Sequence, residues 1–470
     1  MTPTSQHEPD FDLIVIGGGA VGENIADYAT RGGARVALVE SDLVGGECSY
    51  WACMPSKALL RSGHAVRAAW RVGGARAAIT GELDADAVLS RRTSFTSGWD
   101  DSGQADWVDS AGITLLRGHA RLSGRGRVQV GTDTLTAHAV ALATGSVPVL
   151  PPIAGLAEAA PWGTREATSA DTVPPRLIVI GGGVAGCELA FAWASLGSHV
   201  TLLARGGLVE REESFAGERV AAGLTGEGVD VRTGTTTSRV DRAADGTVTA
   251  RLDSGEEITA DEVLVATGRR PALDDVGLET AGVGEDFTVE DSMLVTGTDW
   301  LYAVGDVNGR APLTHQGKYQ ARAAGAAIAA RLRGAPAADE PWGAHVATAD
   351  HTAVPRVIFT DPEVAAVGLT AAEARERGLR VRAVDVDLGQ VAGASLHADD
   401  YTGQARLVVD EDRRVVVGAT FVGQDVAELV HAATIAIVGE VGLDRLWHAV
   451  PAYPTMSEIW LRLLETYAHP

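Results

Sequence analysis

Short apolar runs rich in β-branched residues recur along the chain, each ending in a glycine-rich turn that leads into an Ala-rich segment. The run Leu13 to Ile16 reads as a short β-branched apolar strand. The same design returns between Leu177 and Leu196, and each copy continues to a second strand, Arg35 to Glu40 and His199 to Leu203. Strand, glycine turn, helix and second strand together make the opening of a βαβ dinucleotide-binding unit, so two such units are predicted. The duplication extends further. Gly112 to Ala143 reads as short alternating strands that stop at Thr144-Gly145, and Asp230 to Ala266 stops likewise at Thr267-Gly268. Proline follows each, in Val147 to Pro152 and at Pro271, as at a crossover between domains.

Beyond about residue 345 the glycine turns give way to strand signals at Arg406 to Val409 and Val415 to Phe421, with helical stretches near 425–438 and 457–467. The expected fold class is therefore α/β, with two doubly wound Rossmann-like dinucleotide-binding domains and a separate C-terminal α+β domain. The Trp and Tyr content of that last domain suits a subunit interface, and an ordinary core equally.

The glycine turns carry the first candidate chemistry. Gly17-x-Gly19-x-x-Gly22 follows a strand, which lets backbone amides at the helix start approach a pyrophosphate with no Cβ in the way. Glu40 lies 23 residues after Gly17, at the end of the second strand, where a carboxylate accepts a hydrogen bond from a ribose 2′-hydroxyl. In the second copy, Gly181-x-Gly183-x-x-Gly186, the same count of 23 lands on Ala204, and Arg205 comes next. A 2′-phosphate is repelled by a carboxylate and held by a guanidinium fork, so NADPH is favoured over NADH, with Arg211 as a second phosphate contact. Two arginines on a solvated turn are the plainer alternative.

Three cysteines, at 48, 53 and 187, are too few to staple a chain of 470 residues or to build a structural zinc site. No metal site is expected. Cys48 and Cys53 lie five positions apart in GGECSYWACMPSK, too far for a bond on a regular helix; the backbone near Cys48 is expected to leave helical geometry, as Gly45 and Gly46 permit. Lys57 and a helix N-terminus would stabilise a thiolate there. Cys187, directly behind Gly186, reads as a small packed residue.

Composition removes several partners. A net charge of -23 without any Lys/Arg run disfavours nucleic acid and anionic membrane surfaces. No stretch approaches the roughly 20 apolar residues of a membrane span. Met1 to Asp10 is polar and lacks the basic-then-apolar order of an export signal, so a cytoplasmic location is expected. Lysine is nearly absent: Lys57 and Lys318 are the only two among 39 basic residues.

Taken in order, the two glycine motifs, the cysteine segment, Tyr302-Ala303-Val304-Gly305-Asp306, Thr360-Asp361-Pro362-Glu363 and Pro454-Thr455-Met456-Ser457-Glu458 resemble the pyridine nucleotide-disulfide oxidoreductases, which include glutathione reductase, dihydrolipoamide dehydrogenase and mercuric reductase. The resemblance spans Phe11 to about Leu464. It implies FAD bound by a first segment, 1–153, and completed by a central segment, 275–345, with NAD(P)H bound by 154–274. It also implies a dimerisation domain, 346–470, giving a homodimer whose active site is shared between subunits. Asp306 would hold the ribityl chain and Ala120 the adenine through its backbone. Leu313, Thr314 and His315 would lie against the flavin, with the turns Thr144-Gly145 and Gly268 closing the two nucleotide sites. Cys53 would be the thiol on the flavin face and Cys48 the interchange thiol, the two forming a redox disulfide. Lys57 would sit near the flavin and pair with Glu188. VTLLARGGLVERE resembles the matching stretch of NADPH-dependent mercuric reductases.

The chain departs from the pattern at its C-terminal end. Tyr453 stands where disulfide reductases of the family carry an acid/base histidine supplied by the partner subunit, and a phenol with a reference pKa of about 10 is a poor proton acceptor near pH 7. His448 is the nearest substitute, and Glu458 is kept without its usual partner. Mercuric reductases share that tyrosine but add a C-terminal cysteine pair, which Leu464 to Pro470 lacks. Tyr50 and Trp51 add aromatic bulk between the cysteines, and Val184 replaces a tyrosine of glutathione reductases. The function expected is an FAD-dependent NAD(P)H oxidoreductase passing electrons through the Cys48–Cys53 disulfide to a small acceptor, most simply another disulfide. The alternatives are a quinone or metal-ion reductase in which the cysteines are secondary, and a catalytically silent flavoprotein scaffold.

Overall fold

In the computed structural model, which describes residues 8–468, the chain divides into two compact units, 1–54 with 94–147 and 269–350, and 55–93 with 148–268 and 351–470. Most of the polar stretch Met1 to Asp10, and the last two residues of the cysteine-free tail, lie outside the described residues.

The first unit is organised on a sheet whose parallel strands run, in spatial order, Thr114–Arg117, Val36–Glu40, Phe11–Ile16, Asp133–Leu142 and Leu301–Ala303. Arg127–Val130 and Ala120–Leu122 continue from Asp133–Leu142 as an antiparallel meander. The uninterrupted apolar run explains this placement. Leu13 and Val15 face a core shared with Ile25 and Ala29 of the helix Ala20–Arg31 and with Ala324 and Ile328 of the helix Thr314–Leu332. Their neighbours Ile14 and Ile16 face the opposite layer, with Leu122, Val128, Trp300 and Leu301. Side chains alternate across a strand, so only a strand buried on both sides needs every position apolar. Each such side chain contributes about 1.5–3 kcal/mol on burial.

The second unit repeats the plan. Asp230–Arg232, His199–Leu203, Arg176–Ile180 and Glu262–Val265 form a parallel sheet. A three-stranded antiparallel sheet, Thr237–Arg242, Val248–Leu252 and Glu257–Ala260, accompanies it. Leu177, Val179 and Leu202 pack with Leu189, Phe191 and Trp193 on one face, and Ile178, Ile180 and Leu203 with Val240 and Val263 on the other. The same unit holds the five-stranded antiparallel sheet of the C-terminal region, in the order Pro355–Ile358, Glu363–Gly368, Val415–Gly423, Gln404–Asp410, Val381–Asp387. The helix Val430–Val438 packs on its Val415–Gly423 strand and Ile459–Ala468 on Val381–Asp387. The fold is thus the α/β class expected, with two Rossmann-like sheets and an α+β C-terminal region.

Close backbone packing at the glycine turns sets both nucleotide ends. Gly17 has φ 103°, and a Cβ built on Gly22 would lie 1.8 Å from the Gly17 carbonyl oxygen. The equivalent Cβ on Gly186 would lie 1.9 Å from the Gly181 oxygen. Helix and strand can meet at this distance only without a side chain. Gly22→Ala and Gly186→Ala are therefore each expected to lower stability by about 1–3 kcal/mol, read as a lower thermal midpoint. Midpoints equal to that of the parent chain would contradict the packing argument.

Candidate functional site

Each nucleotide end begins with an uncapped helix. The helix Ala20–Arg31 starts at Gly19 and Val184–Ser195 at Gly183, and neither receives a hydrogen bond from a capping side chain. Their first amides are left as donors for an anion, which fits a dinucleotide pyrophosphate at both places. At the first, the Gly18 amide donates to Glu40 Oε2 at 2.6 Å and the Asp42 amide to Oε1 at 2.7 Å, which fixes the carboxylate at the strand end. Ala120 is buried in the first meander strand. Thr144 Oγ1 donates to the Ala272 carbonyl at 2.7 Å, and Gly145 is left-handed with φ 76°. Asp306 Oδ2 accepts from Ser146 Oγ at 2.7 Å, Ser146 Oγ in turn accepts from Arg269 Nε at 2.8 Å, and Arg269 Nη2 lies 3.1 Å from Glu47 Oε2. Leu313 is the N-cap of the helix that Thr314 and exposed His315 begin.

In the second unit the space beside Gly183 and Gly268 is open. Arg205 and Arg211 are exposed and make no ion pair among the described residues, unlike Arg176, Arg356 and Arg406 of the same unit. The turn between them is shaped by Glu210, whose Oε1 accepts from the Gly207 amide at 2.7 Å. Val184, at the helix start, is 45% exposed.

The cysteine segment is two short helices with a break. Gly45 and Gly46 take left-handed φ of 110° and 58° and turn the chain into the helix Gly46–Tyr50, which holds Cys48. It stops at Trp51, φ -137°, where the amides of Trp51 and Ala52 both donate to the Glu47 carbonyl, at 2.9 and 2.6 Å. A new helix, Cys53–Trp70, starts at once. The departure from helical geometry expected near Cys48 therefore falls just after it, at Trp51 and Ala52. The glycines set where the first helix begins, and the break sets where Cys53 lies. Both cysteines are thiols here, half-buried, with their side chains hydrogen-bonded to each other. Cys53 Sγ is 3.3 Å from Thr314 Oγ1. The contact with Cys53 pushes the Cys48 thiol up first and burial second, while Thr314 and Lys318 oppose them. Two sulfurs in contact titrate as a pair, and both the contact and burial oppose loss of the proton from Cys48.

Four positions further along that helix, Lys57 Nζ donates to Glu188 Oε2 at 2.6 Å and sits 4.9 Å from the centre of the Phe359 ring. Glu188 is buried, and its other oxygen accepts from the Phe359 amide at 2.9 Å, so both carboxylate oxygens are satisfied. Cys187 is fully buried, and burial pushes its thiol up to about 12, which leaves it inert.

The C-terminal candidates are not drawn together. Tyr453 is 78% exposed, His448 is exposed, and neither side chain makes a hydrogen bond among the described residues. Glu458 Oε2 is buried without a partner. No group of three or more His, Cys, Asp or Glu placed to hold a metal occurs among the described residues, and no helix is long and apolar enough to cross a membrane. Sequence reasoning missed Glu47, Ser146, Arg269 and Phe359, because these depend on contacts across more than a hundred positions.

Residues 11–326 match the family model described as pyridine nucleotide-disulphide oxidoreductase, and 354–463 match its dimerisation domain. Relatives include a mercuric reductase of Acidithiobacillus ferrooxidans, 33% identical over 96% of this chain and 81% of the relative. A glutathione reductase of Burkholderia cepacia is 31% identical over 97% of this chain and 98% of its own length. A dihydrolipoyl dehydrogenase of Haloferax volcanii is 32% identical over 97% and 95%. Among solved structures, the HOCl-induced flavoprotein disulfide reductase RclA from Escherichia coli superposes with a TM-score of 0.82 at 23% identity, covering 97% of this chain and 99% of that one.

The Thr360 to Glu363 motif yields a stability test. Glu363 is buried, and that burial raises its carboxyl from 4.5 to about 7 against the Ala427 amide hydrogen bond. The folded chain then binds this proton more tightly than the unfolded chain between those two values. Stability falls as pH rises through that window and stays reduced above it. Glu363→Gln, which keeps an acceptor for the amide, should match the parent at pH 4.5 and exceed it by about 1–3 kcal/mol at pH 8. Denaturant midpoints at the two pH values check this, and no gain at pH 8 would refute it.

Proposed function

Because the chain belongs to the pyridine nucleotide-disulphide oxidoreductases and is an FAD-dependent enzyme of that family, we propose that it reduces a small disulfide with NADPH through Cys48 and Cys53. The observation that carries this reading is the contact between the two sulfurs at the break between helices, with Thr314 Oγ1 against Cys53. FAD, when bound, would supply the two-electron chemistry that links NAD(P)H to the Cys48–Cys53 disulfide. The helix starting at Gly19, with Gly17, Gly22, Glu40, Ala120, Thr144, Gly145, Asp306, Leu313, Thr314 and His315, would hold it. The helix starting at Gly183, with Gly181, Gly186 and Gly268, would hold the nicotinamide dinucleotide. The segments 1–153, 154–274, 275–345 and 346–470 would serve the flavin, the nicotinamide nucleotide, the flavin again and the dimer interface.

The thiol chemistry then belongs to the chain. Reduction of the disulfide by two electrons and one proton leaves a thiol on Cys48 and a thiolate on Cys53. Deprotonated Cys48 attacks one acceptor sulfur, expels the other as thiolate, and forms a mixed disulfide. Cys53 attacks Cys48 Sγ, which releases the second acceptor thiolate and restores the Cys48–Cys53 bond. Lys57, held by Glu188, keeps a fixed cation four positions along the helix that begins at Cys53.

The guanidiniums of Arg205 and Arg211, which make no ion pair among the described residues, support NADPH over NADH. The dimerisation-domain match makes a homodimer the assembly of the family, and we extend that to an active site shared between subunits, with Tyr453, His448 and Glu458 reaching it from the partner. A cytoplasmic location accords with the reduced thiols such chemistry needs.

Anaerobic titration with NADPH should produce a long-wavelength thiolate-to-flavin band that Cys53→Ser abolishes, with the flavin still bound. Turnover of small disulfides should vanish in both Cys48→Ser and Cys53→Ser. A colourless protein that refuses added FAD would sink the reading. Full turnover of quinones or metal ions by the double variant, with no disulfide turnover by the parent, would replace it with a reductase in which the cysteines are secondary. Arg205→Ala with Arg211→Ala should lower kcat/KM for NADPH by about 10- to 100-fold, since a lost charge-assisted contact is worth about 1.5–3 kcal/mol, and leave NADH unchanged. An equal loss for both nucleotides would remove the 2′-phosphate assignment.

A further inference from the structure

Of the two lysines, Lys57 is accounted for by Glu188, and Lys318 is not. Lys318 lies one turn along the helix Thr314–Leu332 from Thr314, the residue that touches Cys53. That helix packs against Ala20–Arg31. The approach is close: a Cβ on Gly317 would lie 2.6 Å from Val21 Cγ2, and one on Gly325 2.7 Å from Tyr28 Cβ. The register places Lys318, next to Gly317, in electrostatic reach of Glu23, two residues from Val21. The cysteine-bearing helix Gly46–Tyr50 abuts the same end of Ala20–Arg31, since Gly19 and Gly45 form a bridge and a Cβ on Gly46 would lie 2.7 Å from Gly19 Cα. Lys318 thus acts on both Cys48 and Glu23, and Glu23 acts in turn on Tyr50 of the cysteine-bearing helix.

We infer that Lys318 is a positioning residue for the Cys48 thiolate, with its charge tuned by Glu23 across the packed helix pair. This rests on the reading of Cys48 as the interchange thiol. That thiol must lose its proton before each attack, although contact with Cys53 and burial both hold the proton on it. Cys53, Thr314 and Lys318 act on Cys48, and Lys318 is the cation that favours its thiolate. Facing Glu23 are Lys318 from one helix and Glu40 from the strand Val36–Glu40, while Tyr50 feels Glu23 from the helix Gly46–Tyr50. Burial raises the Glu23 carboxyl to about 7, with Lys318 pulling it down. At lower pH Glu23 is neutral and the ammonium acts on Cys48 undiminished. At higher pH the carboxylate offsets it. The chain so supplies its own electrostatic support for the thiolate, in a protein whose residue 453 is a phenol.

The test uses the NADPH-reduced holoenzyme. Carbamidomethylation of Cys48 by iodoacetamide is followed from pH 6 to 9, with Cys48 and Cys53 distinguished by peptide mass. Lys318→Met should move the rate profile up by about one pH unit, roughly tenfold slower at pH 7, and Lys318→Arg should restore most of the rate. Glu23→Gln should move the profile the other way, with faster alkylation above pH 7. Flavin content and circular dichroism verify that each variant is folded. A Lys318→Met profile superimposed on the parent's overturns the inference. Should that variant lose flavin, Glu23→Gln decides alone, and an unmoved or upward-moved profile overturns the inference. If Cys53 rather than Cys48 is alkylated first in the parent, the assignment of the interchange thiol fails, a result distinct from an unresponsive Lys318 variant.

Discussion

The contact between two sulfurs at a break in the backbone is the constraint around which the redox centre is arranged. A single helix through residues 46–70 would hold Cys48 and Cys53 apart. The chain instead stops one helix at Tyr50 and starts another at Cys53, with two amides turned onto the Glu47 carbonyl at the junction. The two thiols then titrate as a pair, with contact and burial both opposing loss of the proton from Cys48. Thr314 against Cys53, and the Glu47, Arg269, Ser146 and Asp306 chain beside it, hold the junction in place. These contacts connect the cysteine segment to the turn at Ser146 and to Asp306 through hydrogen bonds rather than through apolar packing.

The two Rossmann-like sheets supply the frame by the same physics used twice. In each, the first glycine turn places a helix start against its own strand at a distance no side chain would allow, and leaves the first amides uncapped. An uncapped helix end is tolerable only if an anion or water satisfies it. The turns diverge after the second strand. Glu40 is tied down by the Gly18 amide of the glycine turn and the Asp42 amide of its own loop. Arg205 and Arg211 make no ion pair among the described residues, whereas Arg176, Arg356 and Arg406 of the same unit do.

A strongly acidic protein that uses arginine almost throughout retains two lysines, both close in the chain or in space to the cysteine pair. The chemical distinction between the two cations accounts for this. A guanidinium is a planar, permanently charged fork suited to bridging carboxylates, whereas an ammonium is a compact point charge that fits among packed side chains. Lys57 is held by a buried carboxylate whose second oxygen is already satisfied, which fixes the charge in place.

Read from the sequence alone, the glycine spacings, the continuous apolar strands and the paired cysteines determined the fold class, the two nucleotide ends and the redox character, because each is encoded within about twenty neighbouring residues. Periodicity reports which faces are buried, and a glycine triplet reports where a backbone must approach closely. Periodicity did not show where the helix breaks: the glycines suggested a departure near Cys48, and the amides of Trp51 and Ala52 fix where it falls. Nor could spacing reveal that Arg269 meets Glu47, that Phe359 shares Glu188 with Lys57, or that Lys318 lies within reach of Glu23 and Cys48. Those pairings come from segments far apart in the chain and exist only after the sheets have stacked their helices, so the charge environment of the sulfurs was decided by tertiary structure.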